Sequence, residues 1–169
     1  MSLEIVGLKG EDWPLYKSIR LEALWADPAA FGSSYDKTLE IPDETWKSRL
    51  ESTANWTLFA RMDGEIVGMI GGFANEDGQS VDVFGAYVRK THRGKGVGKE
   101  LLSVLMKKIA ERNEIETVTL CVTASQGAAI SAYVGAGFEQ TSRSDHQMGD
   151  GQIHSVIHMQ RDIRRLPNG

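Results

Sequence analysis

The chain gathers charge and flexibility in one stretch, "VRKTHRGKGVGKEL", from Val88 to Leu101. Lys90, Arg93, Lys95 and Lys99 interleave there with Gly94, Gly96 and Gly98, between an apolar run and an apolar-periodic run. Glycines at a strand-to-helix turn let backbone N–H groups face open space, and a helix N-terminus carries partial positive charge. The chemistry this suits is the binding of a small anion such as a phosphate. Two familiar phosphate motifs nevertheless fail. A P-loop would need glycine where Arg93 stands and Ser or Thr where Glu100 stands. A dinucleotide fingerprint beginning at Gly96 and Gly98 would need a third glycine where Leu101 stands. What remains is a phosphate cradle without a metal-ligating hydroxyl, set against the plainer reading of a flexible connection with solvated lysines.

Other reactive residue types read more plainly. Cys121, in "TLCVT", is expected as a small core residue, since the sequence places no histidine beside it. His154 and His158 share one face of an expected strand, but nothing accompanies them at metal-ligand spacing, so no metal is expected. The formal net charge of −4 speaks against a nucleic-acid partner, which would need a broad basic surface. With one cysteine no internal disulfide is available. No segment reads as a signal peptide or a membrane span, so a cytoplasmic protein without a membrane partner is the expectation.

The elements that must position these residues follow from pattern. The length suits one domain, residues 1–169. "LEIVGL" reads as a short strand, and "EDWPLYKSIRLEALWADP" as a helix with Pro14 in its first turn and Asp27-Pro28 as its stop. "AAFGSSYDKTLEIP" reads as loop, and "PDETWKSRLES" as a short helix capped by Asp43. Two apolar runs flank Asp63-Gly64, a hairpin signal, and "SVDVFGAYV" follows "NEDGQ" as another strand with Gly85 as a bulge. The glycine-rich turn then opens a helix with Val97, Leu101, Val104, Leu105 and Ile109 on one face. "TVTLCV" is a strand, "ASQGAAISAYVGAGF" a helix ending at Gly135 or Gly137, and "FEQTSR" and "IHSVIHMQRDI" are closing strands around a polar loop, Ser144 to Gln152. Hairpins first, then strand-helix-strand-helix, imply an α+β domain with a mixed sheet and one parallel pair.

On these residues the chain resembles the GNAT superfamily of N-acetyltransferases. Arg93, Gly96 and Gly98 fill its cofactor-loop pattern, Arg/Gln-x-x-Gly-x-Gly/Ala. Ala129, Tyr133, Gly137 and Phe138 fit its second signature, with Gln126 where asparagine is usual. The resemblance implies a mixed sheet of about six to seven strands flanked by about four helices and splayed between "SVDVFGAYV" and "TVTLCV". Acetyl-CoA would lie in that opening as co-substrate, without a metal. Its pyrophosphate would meet the backbone of Arg93, Gly94, Lys95, Gly96, Val97, Gly98 and Lys99. Its pantetheine would pair along Tyr87 and Val88 and pass Gln126, Ala129 and Tyr133.

The same resemblance implies a reaction. An amine acceptor must be neutral to attack, and the departing thiolate benefits from a proton. Tyr133 resembles the family tyrosine that supplies that proton; otherwise it is a packing residue. Asp82 stands where some members carry a carboxylate base; otherwise it is an exposed strand carboxylate, and water carries the proton. Trp25, Phe31 and Tyr35 are either core or the lining of the acceptor pocket. Asp27, Asp36, Glu40, Asp43 and Glu44 form an acidic rim that suits a cationic amine, or a solvated face. The acceptor would be a small-molecule or peptide amine, and a homodimer is left open. The alternative to an enzyme is a non-catalytic acyl-CoA sensor with the same fold.

Overall fold

The Asp63-Gly64 pair has positive φ at both residues, 52° and 80°, which is the backbone of a tight primed hairpin turn. It joins β2 (Asn55–Met62) to β3 (Glu65–Ala74), with Met62 opposite Glu65. A second turn follows, in which the Asp77 carboxylate accepts from the N–H groups of Gln79 at 2.9 Å and Ser80 at 3.0 Å. It leads into β4 (Ser80–Val88). β1 (Leu3–Val6) adds to the outer edge of β2. In this computed structural model, which describes residues 2–164, β5 (Thr117–Thr123), β6 (Glu139–Gln147) and β7 (Ile153–Asp162) complete one sheet, ordered β1-β2-β3-β4-β5-β7-β6. Among these strands only β4 and β5 run parallel; every other pair is antiparallel. The sheet is therefore mixed, as the order of elements demands.

Five α-helices among the described residues flank it: α1 (Trp13–Ala26), α2 (Tyr35–Leu39), α3 (Asp43–Glu51), α4 (Val97–Ala110) and α5 (Gly127–Gly135). Each long helix lays its apolar stripe on one sheet face, and burial of each large apolar side chain stabilises by about 1.5–3 kcal/mol. Val97, Leu101, Leu105 and Ile109 of α4 pack with Val81, Val83, Val118, Leu120 and Met159. On the opposite face Tyr16, Ile19, Ala23 and Leu24 of α1 pack with Trp46 of α3 and with Phe59, Met69 and Tyr87. Tyr16 meets Trp46 edge-on, with ring centroids 4.9 Å apart. Among the described residues no helix is long and apolar enough to cross a membrane.

Three local expectations need correction. Pro42, not Asp43, stands at the N-cap of α3; the Asp43 carboxylate instead accepts from Lys17 Nζ at 3.4 Å. The stretch expected as loop after α1 holds a 3-10 turn at Pro28–Ala30 and all of α2, which Ser34 starts by accepting from the Lys37 N–H at 3.2 Å. β6 runs on to Gln147, so the polar loop begins only at Met148. This edge strand is exposed on both faces except at Ser144, so it has no apolar alternation to betray it.

Candidate active site

β4 and β5 stay together for three positions only, Ser80–Asp82 against Thr117–Thr119. Beyond them Val83–Val88 and Leu120–Thr123 diverge. The cause lies on the other edge of β4. Phe84 and Tyr87 sit opposite Gly71 and Met69, so β4 carries an extra residue there, and Gly85 adopts φ 65°. A bulge bends its strand and increases its twist, and here it turns β4 away from β5. The Arg89 N–H donates to the Val67 carbonyl at 2.7 Å, towards β3. Strand alternation then turns the amide of Val88 towards the opening. The Val88 carbonyl accepts from Arg93 Nε at 2.7 Å.

The glycine-rich loop closes the end of this opening. After a 3-10 turn at Lys90–His92, Gly94 has φ 76° and Gly96 has φ 82° as the N-cap of α4. A Cβ on either would meet no atom within 4 Å, so both face open space. The Arg93 N–H donates to the Lys90 carbonyl, whereas no N–H from Gly94 to Lys99 donates to a backbone carbonyl among the described residues. Six donors therefore stand free of backbone carbonyls around a helix N-terminus, an arrangement that suits a phosphate. The Arg93 guanidinium points elsewhere. Its Nη2 lies 2.6 Å from Asp27 Oδ2 and its carbon lies 5.7 Å from the centre of the Tyr87 ring. It pins the start of the loop to the end of α1, leaving Lys95 and Lys99 to supply charge. A depression of about 620 Å³, lined by Lys95, Gly96, Lys99 and Ser103 with Leu3 and Ile5, continues along the flank of α4.

Across the splay stands α5. It is apolar, yet none of its residues is fully buried. Ala129, Ile130 and Tyr133 rest on the cluster beneath α4, and Gln126 occupies the N-cap without a side-chain capping bond. Tyr133 packs edge-on against Phe138 at 5.9 Å, and burial pushes its phenol up to about 12. The ring therefore keeps its proton through the neutral range and can donate it.

On the other sheet face Asp82 is half-buried and accepts from Thr119 Oγ1 at 2.9 Å. Burial raises its carboxyl above the ordinary range, against the Thr119 hydrogen bond and the nearby His158. Cys121 is on this same open face, not in the core. His158 Nδ1 lies 3.1 Å from its sulfur, so the expectation of a cysteine with no histidine beside it is overturned. His158 Nε2 lies 2.7 Å from Ser144 Oγ, which in turn lies 2.9 Å from His146 Nε2. Partial burial and then the Asp82 charge push the Cys121 thiol up, which leaves it protonated and a poor nucleophile. His154 pairs with Asp150 at 2.7 Å, and among the described residues no acidic, cysteine and histidine side chains cluster as a metal site.

A model of the acetyltransferase (GNAT) family matches residues 19–138. The chain belongs to that family. Curated N-acetylaspartate synthetases are similar over a shorter stretch. The Xenopus tropicalis protein is 29% identical over 98 residues, 58% of this chain and 36% of its own. The human protein is 31% identical over 97 residues, 57% of this chain and 32% of its own. This chain thus aligns with about a third of these relatives' length. Among solved structures, a GNAT-family acetyltransferase from Streptococcus pneumoniae superposes with a TM-score of 0.81 at 19% identity, covering 96% of this chain and all of the other. The yncA protein of Salmonella typhimurium, solved with its cofactor acetyl-CoA, gives 0.81 at 21% identity over 100% and 98%. The ribosomal-protein-S18-alanine N-acetyltransferase of Escherichia coli gives 0.72 at 20% over 99% and 98%. These likenesses establish the GNAT fold.

In this GNAT chain the expected pocket residues separate. Trp25 is 75% exposed and meets Tyr35 edge-on at 5.4 Å, whereas Phe31 is buried. A groove of about 520 Å³ instead lies between Gly32–Ile41 and the β6–β7 loop, lined by Ser33, Ser34, Lys37, Gln147 and Gly149. The Gly149 N–H donates to the Phe31 carbonyl at 2.7 Å, and a Cβ on Gly149 would strike the Ser33 carbonyl. The acidic rim is partly neutralised: Asp27 pairs with Arg93 and Asp43 with Lys17. His158, Ser144 and this hairpin loop escape a reading of the sequence because they meet the site across strands. Only the glycines of "MGDG" hint at a close approach.

Proposed function

We propose that the chain is an acetyl-CoA-dependent N-acetyltransferase that moves an acetyl group directly to a primary amine. The observation that carries this reading is the splay itself, a free strand edge leading to six unbonded N–H groups at a helix N-terminus. Acetyl-CoA supplies the activated acetyl thioester. The backbone from Gly94 to Lys99 fits its pyrophosphate, since the open glycines leave room for close approach and Lys95 and Lys99 add charge. Val88 offers its amide towards the pantetheine, with Gln126, Ala129 and Tyr133 facing it from α5. Tyr133, protonated through the neutral range, donates to the departing sulfur. Asp82, raised by burial, takes the amine proton directly or through water.

The acceptor is an amine of a small molecule or a peptide. The names of the curated relatives favour an amino acid, and that of the Escherichia coli structure favours a protein N-terminus. Release of free thiol from acetyl-CoA across a panel of amino acids, polyamines and peptides tests the reading. Amine-dependent release is expected. Acetyl-CoA binding without release for any amine would favour a sensor instead.

A further inference from the structure

Among the described residues just two buried side-chain donors lack a partner, Arg20 Nη1 and Trp46 Nε1. Both belong to the layer of side chains under α1 and α3. Trp46 is neutral and sealed in the core, but Arg20 carries a full charge. An arginine stays protonated in any folded protein. Arg20 is partly buried: its Nη1 is sealed without a partner, while Nε and Nη2, also unpaired among the described residues, stay open to an incoming group. Burial, followed by the neighbouring Arg49, lowers the Arg20 pKa, against the pull of Tyr16.

The carboxylates that share α1 and its C-terminal end with Arg20 are engaged elsewhere. Glu22, two residues on, accepts from Arg89 Nη2 at 2.9 Å and from the Tyr87 hydroxyl at 2.8 Å. Asp27 pairs with Arg93. Arg20 instead lies over Phe31, its guanidinium carbon 5.0 Å from the ring centre. Its Nη1 is 3.5 Å from where a Cβ on Gly85 would lie. Gly85 is the bulge that opens the sheet, and Phe31 is the residue whose carbonyl holds the β6–β7 loop. The guanidinium thus lies close to both the bulge in β4 and Phe31. A planar fork of N–H donors held over an aromatic ring suits a carboxylate.

We propose that Arg20 binds a carboxylate of the acceptor, so the substrate is an amine that also bears an acid group, such as a free amino acid. The inference rests on the N-acetyltransferase reading and names the acceptor class within it. It also runs against the acidic rim, which on its own suits a cationic amine.

The test uses three proteins, wild type, Arg20→Gln and Arg20→Lys, with free L-amino acids, their C-terminal amides and putrescine as acceptors. The best acceptors should be free acids. Amidation of the best one should lower kcat/KM by about 10²-fold. Arg20→Gln should lower kcat/KM for the acid by a similar factor, mainly through KM, and leave the amide and acetyl-CoA affinity unchanged. Arg20→Lys should recover some of the loss. A second arm needs no turnover: succinate should raise the melting temperature of wild type and not of Arg20→Gln. That variant should itself be about as stable as wild type without ligand, since the charge it removes is partly buried and has no partner. Amides or putrescine used as well as acids would overturn the proposal. So would equal losses on acid and amide in Arg20→Gln, which mark a structural role. If no amine is acetylated, the N-acetyltransferase reading fails, and the succinate arm alone upholds or rejects the anion site.

Discussion

Tyr133 and Asp82 sit on opposite faces of the sheet, beside the one place where it opens. Burial shifts both upward, and the consequence differs with charge type. For Tyr133 the raised value preserves a donor. Tyr133→Phe keeps the ring against Phe138 and removes the proton, so turnover should fall about 10²-fold or more with acetyl-CoA affinity little changed. Steady-state kinetics beside calorimetry decide this, and equal turnover would make Tyr133 a packing residue. For Asp82 the raised value means that the folded protein holds the proton more tightly than the unfolded chain does. Its ionised form therefore costs stability at neutral pH, and the cost fades as pH falls through the raised value. Asp82→Asn can still accept from Thr119, so it should melt higher than wild type at neutral pH, with the gap closing towards acid. Its activity should drop and partly recover at high pH, where the amine is already neutral. A wild-type pH–rate profile would remove the base assignment. The chemistry around Asp82 is half legible in the sequence. Strand alternation gives its face, because Val81 and Val83 turn the other way into the core. Nothing local places His158 beside Cys121, since that contact depends on β7 entering between β5 and β6.

At the scale of elements, the loop between β4 and α4 tolerates substitution unequally. Gly94 and Gly96 lie at positive φ, where a side chain strains the backbone in any surroundings. Gly98 lies within the first turn of α4, and a Cβ there meets only Val88 at an ordinary 3.5 Å. Gly98→Val is therefore the cleaner probe. It should leave helix content unchanged and weaken acetyl-CoA binding by at least about tenfold, because bulk then stands among the donors. Unchanged affinity by calorimetry would count against the loop as the pyrophosphate site. Elements with one wet and one dry face are the legible ones. α4 shows its stripe, and the Asp63-Gly64 hairpin shows its turn. α2 escapes notice because five residues give no periodicity, and β6 because its residues are nearly all exposed. Gly85 announces a bulge, but the separation of β4 from β5 that follows depends on the short parallel pairing beside it.

Across the whole molecule, the two halves of the candidate site are stitched differently into the chain. The glycine-rich loop hangs from strands that follow one another in sequence, β1 apart, each paired through a short turn with the one before. The groove joins residues 32–41 to residues 147–151 through Gly149 and Phe31, and its far wall hangs from β6, whose one partner in the sheet is β7. Local contacts form early and distant ones late. On a ribosome the two halves must therefore mature at different moments. A nascent chain halted at Gln152 already carries every residue of the glycine-rich loop and the helix behind it. Its β6 has nothing to pair with, and β5 is held by three positions alone. Such a chain holds the proposed donor loop before the groove beside it can form, and it is β7, pairing with both β5 and β6, that joins the two halves.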